Sequence, residues 1–249
     1  MVASVGDSDT SFWENANHRY PDCVMDPLKS DFLRFAVEND VLRFGEFVTK
    51  AGRRSPYFFD AGRFNSGRVL ARVAQFYAAK LVAAVSAGQL ACDMLFGPAY
   101  KGIVLASATA LAAAEHGLDL PFAYNRKEAK DHGEGGVVVG AALKGKVVIV
   151  DDVISAGTSV RQSVDLIVSQ GATPAGVLIA LDRMERSGTE AQPGEYSAVP
   201  EGERTLGVPV VANATLDDLL QFLDADAAGA QALARWRPAV RAYRERYGA

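Results

Sequence analysis

Cysteine and histidine are scarce: the 249 residues contain two cysteines, Cys23 and Cys92, and three histidines. Two cysteines cannot make a disulfide framework or complete a zinc site by themselves. Cys92 precedes the apolar run Met94–Phe96, a setting that suits a packed thiol. Basic charge is not in excess either. The chain has 26 Lys and Arg against 30 Asp and Glu, a net charge of −4, whereas a duplex-binding protein is usually basic. Nucleic acid is therefore not an expected partner. No uninterrupted apolar run approaches the ~20 residues of a bilayer crossing, so no membrane partner is expected. Residues 1–23 are polar and acidic and lack the apolar core of a secretory signal, which points to a cytoplasmic protein. No internal repeat is present. With 49% apolar and 22% charged residues the composition is globular, and the length suits one domain with an extension.

The most informative stretch runs from Val147 to Val160, VVIVDDVISAGTSV. Four apolar residues read as a buried parallel strand. They end in two adjacent carboxylates, Asp151 and Asp152, followed by the small or hydroxylated residues Ser155, Ala156, Gly157, Thr158 and Ser159. A helix follows, with Val160, Val164, Ile167 and Val168 on one face and Gly171 as its stop. The acids thus stand at the carboxyl end of a strand, where open α/β sheets bind ligands. Free N–H groups at the helix start favour an anion. Two carboxylates would repel a bare phosphate, so they suit sugar hydroxyls or a divalent metal carried with it. The segment Gly140–Val147 has Gly-x-x-x-x-Gly-Lys spacing, but its lysine leads into a strand rather than a helix, so this is no ATP-type phosphate loop.

Strands alternate with helices along the rest of the chain, which predicts an α/β fold with a mostly parallel sheet. Residues 1–27 lack periodicity and read as an N-terminal extension; residues 28–249 form the domain. Ser30 is expected to cap a helix reaching about Val41. Residues 44–67 read as short strands and turns. Helices are expected over about 68–85 and up to about His116, with strands at 93–97, 121–125, 137–140 and 175–183. Residues 184–205 read mostly as loop. A strand at 208–213 precedes a capping box of Thr215 and Asp218. The tail from about Ala227 to Tyr247 is expected to be helical and to break or kink at Pro238.

Three further segments carry candidate chemistry. Gly97–Ile103, GPAYKGI, makes a tight turn at a second strand end with Lys101 near the same sheet edge. Residues 126–136, RKEAKDHGEGG, place Arg126, Lys127, Lys130 and His132 before three glycines. That arrangement suits a hinged lid whose cations neutralise a departing anion and exclude water. In YFFD, Phe58 and Phe59 point to opposite faces of a strand, so one of them packs in the core and the other is available to stack on a flat heterocycle.

The stretch from Val147 to Val160 resembles the phosphoribosyl pyrophosphate (PRPP) motif of type I phosphoribosyltransferases, and residues 126–136 resemble the catalytic loop of the orotate-using members of that family. Residues 49–68 and Asp182–Arg183 resemble further segments of the same members, all in the same order. The resemblance implies the type I phosphoribosyltransferase fold: a central mostly parallel sheet flanked by helices, a small hood and a flexible catalytic loop. It implies that Asp151 and Asp152 hold the ribose hydroxyls, and that Val153, Ile154, Ser155, Ala156, Gly157, Thr158 and Ser159 cradle the 5-phosphate. Tyr100 and Lys101 would hold pyrophosphate. Lys50, Arg126, Lys127, Lys130 and His132 would contact PRPP, and Phe58, Phe59, Ser155 and Arg183 would face orotate. Magnesium would ride on PRPP oxygens and water with no direct protein ligand, and a homodimer would share the loop between subunits. Ser155 stands where bacterial relatives commonly have Thr, and its hydroxyl is retained. The rivals are a purine-using member of the family, a regulator that binds PRPP without catalysis, and a nucleotide-binding module with no reaction. The lid cations speak against the regulator.

Overall fold

The computed structural model describes residues 25–130, 136–154, 157–188, 193–197, 199, 203, 207–224 and 233–248. Along the chain, α1 (Pro27–Glu38) leads into the hairpin β1 (Leu42–Val48) and β2 (Arg54–Phe59). There follow α2 (Gly67–Ser86), β3 (Met94–Gly97), α3 (Lys101–Glu115), β4 (Phe122–Lys130), β5 (Gly136–Gly140), β6 (Lys146–Val150), α4 (Thr158–Ser169) and β7 (Thr173–Asp182). The chain continues through β8 (Arg186–Gly188), β9 (Pro193–Ser197), β10 (Val210–Thr215), α5 (Leu216–Asp224) and α6 (Arg237–Tyr247).

Six strands form the central sheet in the order β10-β7-β6-β3-β4-β5. All neighbours are parallel except β4 and β5, which pair antiparallel at one edge. Both faces are covered, as a parallel sheet requires. Alternate residues of β6 show it. Val148 and Val150 join the core beneath α1, α2, α3, α5 and α6, while Val147 and Ile149 pack with Val160 and Ile167 of α4. All four are fully buried, and each buried side chain of this size contributes about 1.5–3 kcal/mol. Helices α2 and α3 pack closely because both present alanine at the contact, including Ala74, Ala78, Ala108 and Ala112. The hairpin β1–β2 and the pair β8–β9 are separate two-stranded sheets. Tyr57 of β2 meets the segment after β7, which sets the hairpin over the carboxyl end of that strand.

Several elements differ from the sequence expectation. Asp26, not Ser30, caps α1, accepting from the Leu28 N–H at 2.9 Å, with Pro27 in the first turn. Proline suits that place because its missing N–H would be unpaired there in any case. The helix ends at Glu38, short of Val41. Val168 is exposed on α4, off the buried face of Val160 and Ile167. Strand β4 continues through Lys130, so the described part of the expected loop is a β-arm paired with β5. Residues 186–197 hold a strand pair within what read as loop. Pro238 lies in the first turn of α6 and starts that helix rather than breaking one. Helix α2 is long and apolar enough, by length and composition, to cross a bilayer. Arg72 and Lys80 interrupt its apolar pattern, and Val73, Phe76, Tyr77 and Leu81 are instead buried in the core. The capping box is present: Thr215 Oγ1 accepts from the Asp218 N–H at 3.1 Å, and Asp218 Oδ2 accepts from the Thr215 N–H at 2.8 Å.

Candidate active site

Strand order reverses between β3 and β6: from β3 the chain moves outward to β4 and β5, and from β6 it moves the other way to β7 and β10. Ligands of open α/β sheets bind at such a switch point, beyond the carboxyl ends of the strands. The acid pair ends β6 and the Gly97–Lys101 turn ends β3, so the two flank one crevice.

The acid pair is rigid. The ladder to β7 continues past β6, with the Asp151 N–H donating to Leu178 O at 3.0 Å and the Ala180 N–H to Asp152 O at 2.9 Å. The buried Tyr77 hydroxyl donates to the Asp151 carbonyl at 2.9 Å. Asp151 Oδ1 accepts from the Asp152 N–H at 2.9 Å, and its Oδ2 accepts from Ser159 Oγ at 3.4 Å. Burial, and then the neighbouring Asp152 carboxylate, push Asp151 up to about 7. Asp152 faces the other motif: its Oδ2 lies 2.7 Å from Lys101 Nζ.

The turn after β3 fits against the end of β6 because two of its residues lack a side chain. A Cβ on Gly97 would collide with the Gly102 carbonyl, and one on Gly102 would lie 2.8 Å from Val150 O. Asn125 Oδ1 accepts from the Ala99 N–H at 2.9 Å, tying the turn to β4. Lys127 on the β4 arm sits 4.5 Å over the Tyr100 ring. Tyr100 and Lys127 are both exposed, and Arg126 is half-buried.

After β6, Ile154 is buried and Val153 half-buried. Gly157 takes φ +68° ahead of α4, a conformation costly for any residue with a side chain. Thr158 and Ser159 open the helix and are exposed. Ser155, Ala156 and His132 lie outside the described residues, as does the side chain of Lys130.

The remaining predicted residues stand on other elements. Lys50 is exposed in the β1–β2 turn. Phe59 faces the core, its ring 6.2 Å from Phe64 and 6.5 Å from Phe32. Phe58 faces outward, stacked 5.4 Å from Phe47, with the Arg43 guanidinium 5.6 Å from its ring. Arg183 follows β7 and pairs with Glu185 at 2.6 Å. A cleft of about 400 Å³ between the hairpin and α6, lined by Glu46, Arg54, Trp236 and Tyr243 among others, contains none of the predicted residues. The crevice is the better candidate because its side chains are charged and converge.

Four contributors were absent from the sequence reading: Tyr77, Asn125, Arg53 and Glu185. Tyr77 lies on the buried face of α2 with Val73, Phe76 and Leu81, where its spacing gives no sign of a polar partner. Asn125 and Arg53 bond to residues distant in the chain, and Glu185, although two residues from Arg183, stands in a segment that read as loop.

Comparison with known proteins agrees with this geometry. The family model of the phosphoribosyl transferase domain matches residues 63–193. An orotate phosphoribosyltransferase of Herminiimonas arsenicoxydans is 61% identical over 224 residues, 90% of this chain and 99% of the relative. One of Cupriavidus necator is 63% identical over 221 residues, 89% of this chain and 95% of the relative. The crystal structure of orotate phosphoribosyltransferase from Francisella tularensis superposes with a TM-score of 0.74 at 35% identity, covering 88% of this chain and all of that one. With a sheet, a crevice and a whole-length likeness of this kind, the chain belongs to the phosphoribosyltransferases and, within them, to the orotate phosphoribosyltransferase family.

Proposed function

We propose that the protein joins orotate to PRPP in pyrimidine biosynthesis in the cytoplasm, releasing pyrophosphate and orotidine 5′-monophosphate. The observation that carries this reading is the convergence of two carboxylates and Lys101 at the switch point, 2.7 Å apart at their nearest. In the reaction the bond from the anomeric carbon to the pyrophosphate oxygen breaks, its electron pair leaving with pyrophosphate, and a bond to orotate nitrogen forms as that nitrogen gives up its proton to pyrophosphate or solvent. The sugar passes through a state with oxocarbenium character. Asp151 and Asp152 hold the ribose hydroxyls and face that positive charge. The backbone from Val153 to Ser159 receives the 5-phosphate at the start of α4. Tyr100 and Lys101, with the arm cations Arg126, Lys127 and Lys130, receive the charge that builds on pyrophosphate. His132 orients or protonates it, and Lys50 adds a further PRPP contact. Arg183, the outward Phe58 and Ser155 bound the orotate site, and Phe59 supports it from the core side.

The donor set fits magnesium carried on PRPP. Among the described residues no group of three or more His, Cys, Asp or Glu could form a cage, and Mg²⁺ commonly keeps several waters beside one or two carboxylates and substrate phosphates. Asp151 and Asp152 are the residues that would meet its waters. When bound, the ion neutralises part of the diphosphate charge.

The test is loss of orotate absorbance with PRPP and magnesium, run against purine bases in competition. Preference for a purine, or full activity after complete chelation, would overturn the base assignment or the metal requirement respectively. We also propose a twofold dimer, the commonest closed symmetry, in which the β4 arm serves the partner's site. Lys130→Ala mixed with Asp152→Asn would then restore about a quarter of wild-type activity, from the one intact site in each mixed dimer. No recovery despite subunit exchange would mean that each arm serves its own chain.

A further inference from the structure

Arg183 does not wait for a ligand in an arbitrary rotamer. Its Nη2 lies 2.6 Å from Oε1 of Glu185, and its guanidinium sits 5.4 Å from the centre of the Tyr57 ring. Glu185 is itself held from behind. Its Oε2 lies 3.6 Å from Nη1 of Arg53, and Oε1 accepts from the Tyr57 hydroxyl at 3.5 Å. Arg53 is sealed in: its Nη2 donates to the Ser187 carbonyl at 3.2 Å, and its guanidinium lies 5.2 Å from the Tyr247 ring. Three charged side chains therefore stand in a row, Arg53, Glu185 and Arg183, with exposures of 1%, 13% and 23%.

Two guanidinium groups share one carboxylate, so the row carries one uncompensated positive charge. Arg53, at the closed end, cannot offer its charge to a ligand. The surplus is presented at Arg183, the open end. Arg183 Nε is also buried and has no hydrogen-bond partner among the described residues. A buried donor of this kind is costly until something accepts from it.

We infer that Glu185 is a positioning residue for recognition of the acidic base: held by Arg53 and Tyr57, it fixes the Arg183 fork so that a free edge faces a carbonyl or carboxylate of the substrate. The inference rests on the assignment of Arg183 to orotate made above. An arginine side chain carries about 2 kcal/mol of rotamer entropy. Fixing it in the folded protein removes that loss from the binding step. A carboxylate does this better than a neutral acceptor, because charge-assisted bonds are shorter and stronger. It also satisfies Arg53, whose buried charge would otherwise have no counter-ion.

The experiment measures the KM for orotate and for PRPP, kcat and the melting temperature. The variants are Glu185→Gln, Glu185→Asp, Arg183→Ala and the double variant Glu185→Gln/Arg183→Ala. Glu185→Gln is expected to raise the orotate KM about tenfold or more. Glu185→Asp, which keeps the charge, should recover part of the loss. The PRPP KM should stay within about twofold, and Glu185→Gln should add no more than about twofold to the orotate KM in the Arg183→Ala background. If Glu185→Gln does not fold, Arg53→Met/Glu185→Gln removes both buried charges together and carries the same comparison. Equal losses for both substrates, or an undiminished effect without Arg183, would make Glu185 a structural residue only and overturn the inference. A raised orotate KM in Arg183→Ala with a wild-type value in Glu185→Gln also overturns it, and leaves the Arg183 assignment standing. An unchanged orotate KM in Arg183→Ala would remove the assignment itself, and the inference with it.

Discussion

At the crevice between β3 and β6, two neighbouring carboxylates stand beside one lysine, which pairs with Asp152; beyond β7, two arginines share one carboxylate. Once Asp151 ionises, above about pH 7, the first cluster carries a surplus negative charge, and the second carries a surplus positive one. Each surplus matches its proposed ligand: sugar hydroxyls and a cation-bearing diphosphate at the first, an acidic heterocycle at the second. The clusters also differ in how they are built. The acid pair consists of chain neighbours fixed by the backbone of a central strand, whereas the arginine row depends on the side chains of Arg53, Glu185 and Arg183 to join the β1–β2 turn to the segment after β7. Backbone-fixed groups should tolerate a change of charge without loss of fold. Groups fixed by side chains should not.

The comparison would break most visibly at Asp152. Asp152→Asn is expected to lower kcat by about 10²–10³-fold with little change in melting temperature, because the ladder to Ala180 uses only its backbone. A collapsed melting temperature with normal activity per folded molecule would show that the carboxylate is structural. At the other cluster, Arg183→Ala should raise the orotate KM about tenfold to a hundredfold. Its effect on the PRPP KM should be small, and a PRPP effect of equal size would erase the division of labour between the two clusters.

The pH dependence sharpens the contrast. The folded value of Asp151, about 7, lies above its ordinary 3.8, so the folded chain holds an extra proton between those values. The group's contribution to stability is therefore greatest at low pH and declines as pH rises through that window. Binding of magnesium–PRPP to the ionised form should strengthen about tenfold from pH 6 to pH 8, as the ionised fraction climbs from about a tenth to about nine tenths. Titration calorimetry on wild type and Asp151→Asn checks this, since the difference between the two profiles isolates the carboxylate. Identical profiles would mean that Asp151 does not titrate in this range. The smallest effect is expected from Tyr77→Phe, which should reduce stability by about 1–2 kcal/mol by leaving the Asp151 carbonyl unpaired. Activity should fall only a few-fold, and a loss as deep as that of Asp152→Asn would show that the strand end is less rigid than its ladder implies.

The legibility of these regions in the sequence follows from the same difference. Val147–Ser159 encodes a strand, its end and a helix start within a few residues, so the acid pair could be placed at a strand end from local pattern. The Gly97–Gly102 turn was readable for the same reason. Arg53 looked like one basic residue in a charged turn and Glu185 like part of a polar loop, because only the fold brings them together. The β4 arm read as loop because its charged residues lack a buried face, yet pairing with β5 supplies the hydrogen bonds that make it a strand. Likewise Pro238 and Pro27 each marked a helix beginning, a role that depends on where the preceding segment stops.

Two of the proposed PRPP-binding cations already have internal companions: Lys101 on Asp152 and Lys127 over Tyr100. On the proposed assignment, PRPP therefore enters by exchanging partners rather than by neutralising bare charges. Part of each new contact is offset by an old one given up, which keeps affinity moderate. The same exchange runs backwards after the reaction. As pyrophosphate and nucleotide depart, each cation has a nearby group to return to, so the barrier to product release is lowered by contacts that re-form behind the leaving molecule. On this assignment, a site lined only with unpaired cations would hold its products longer.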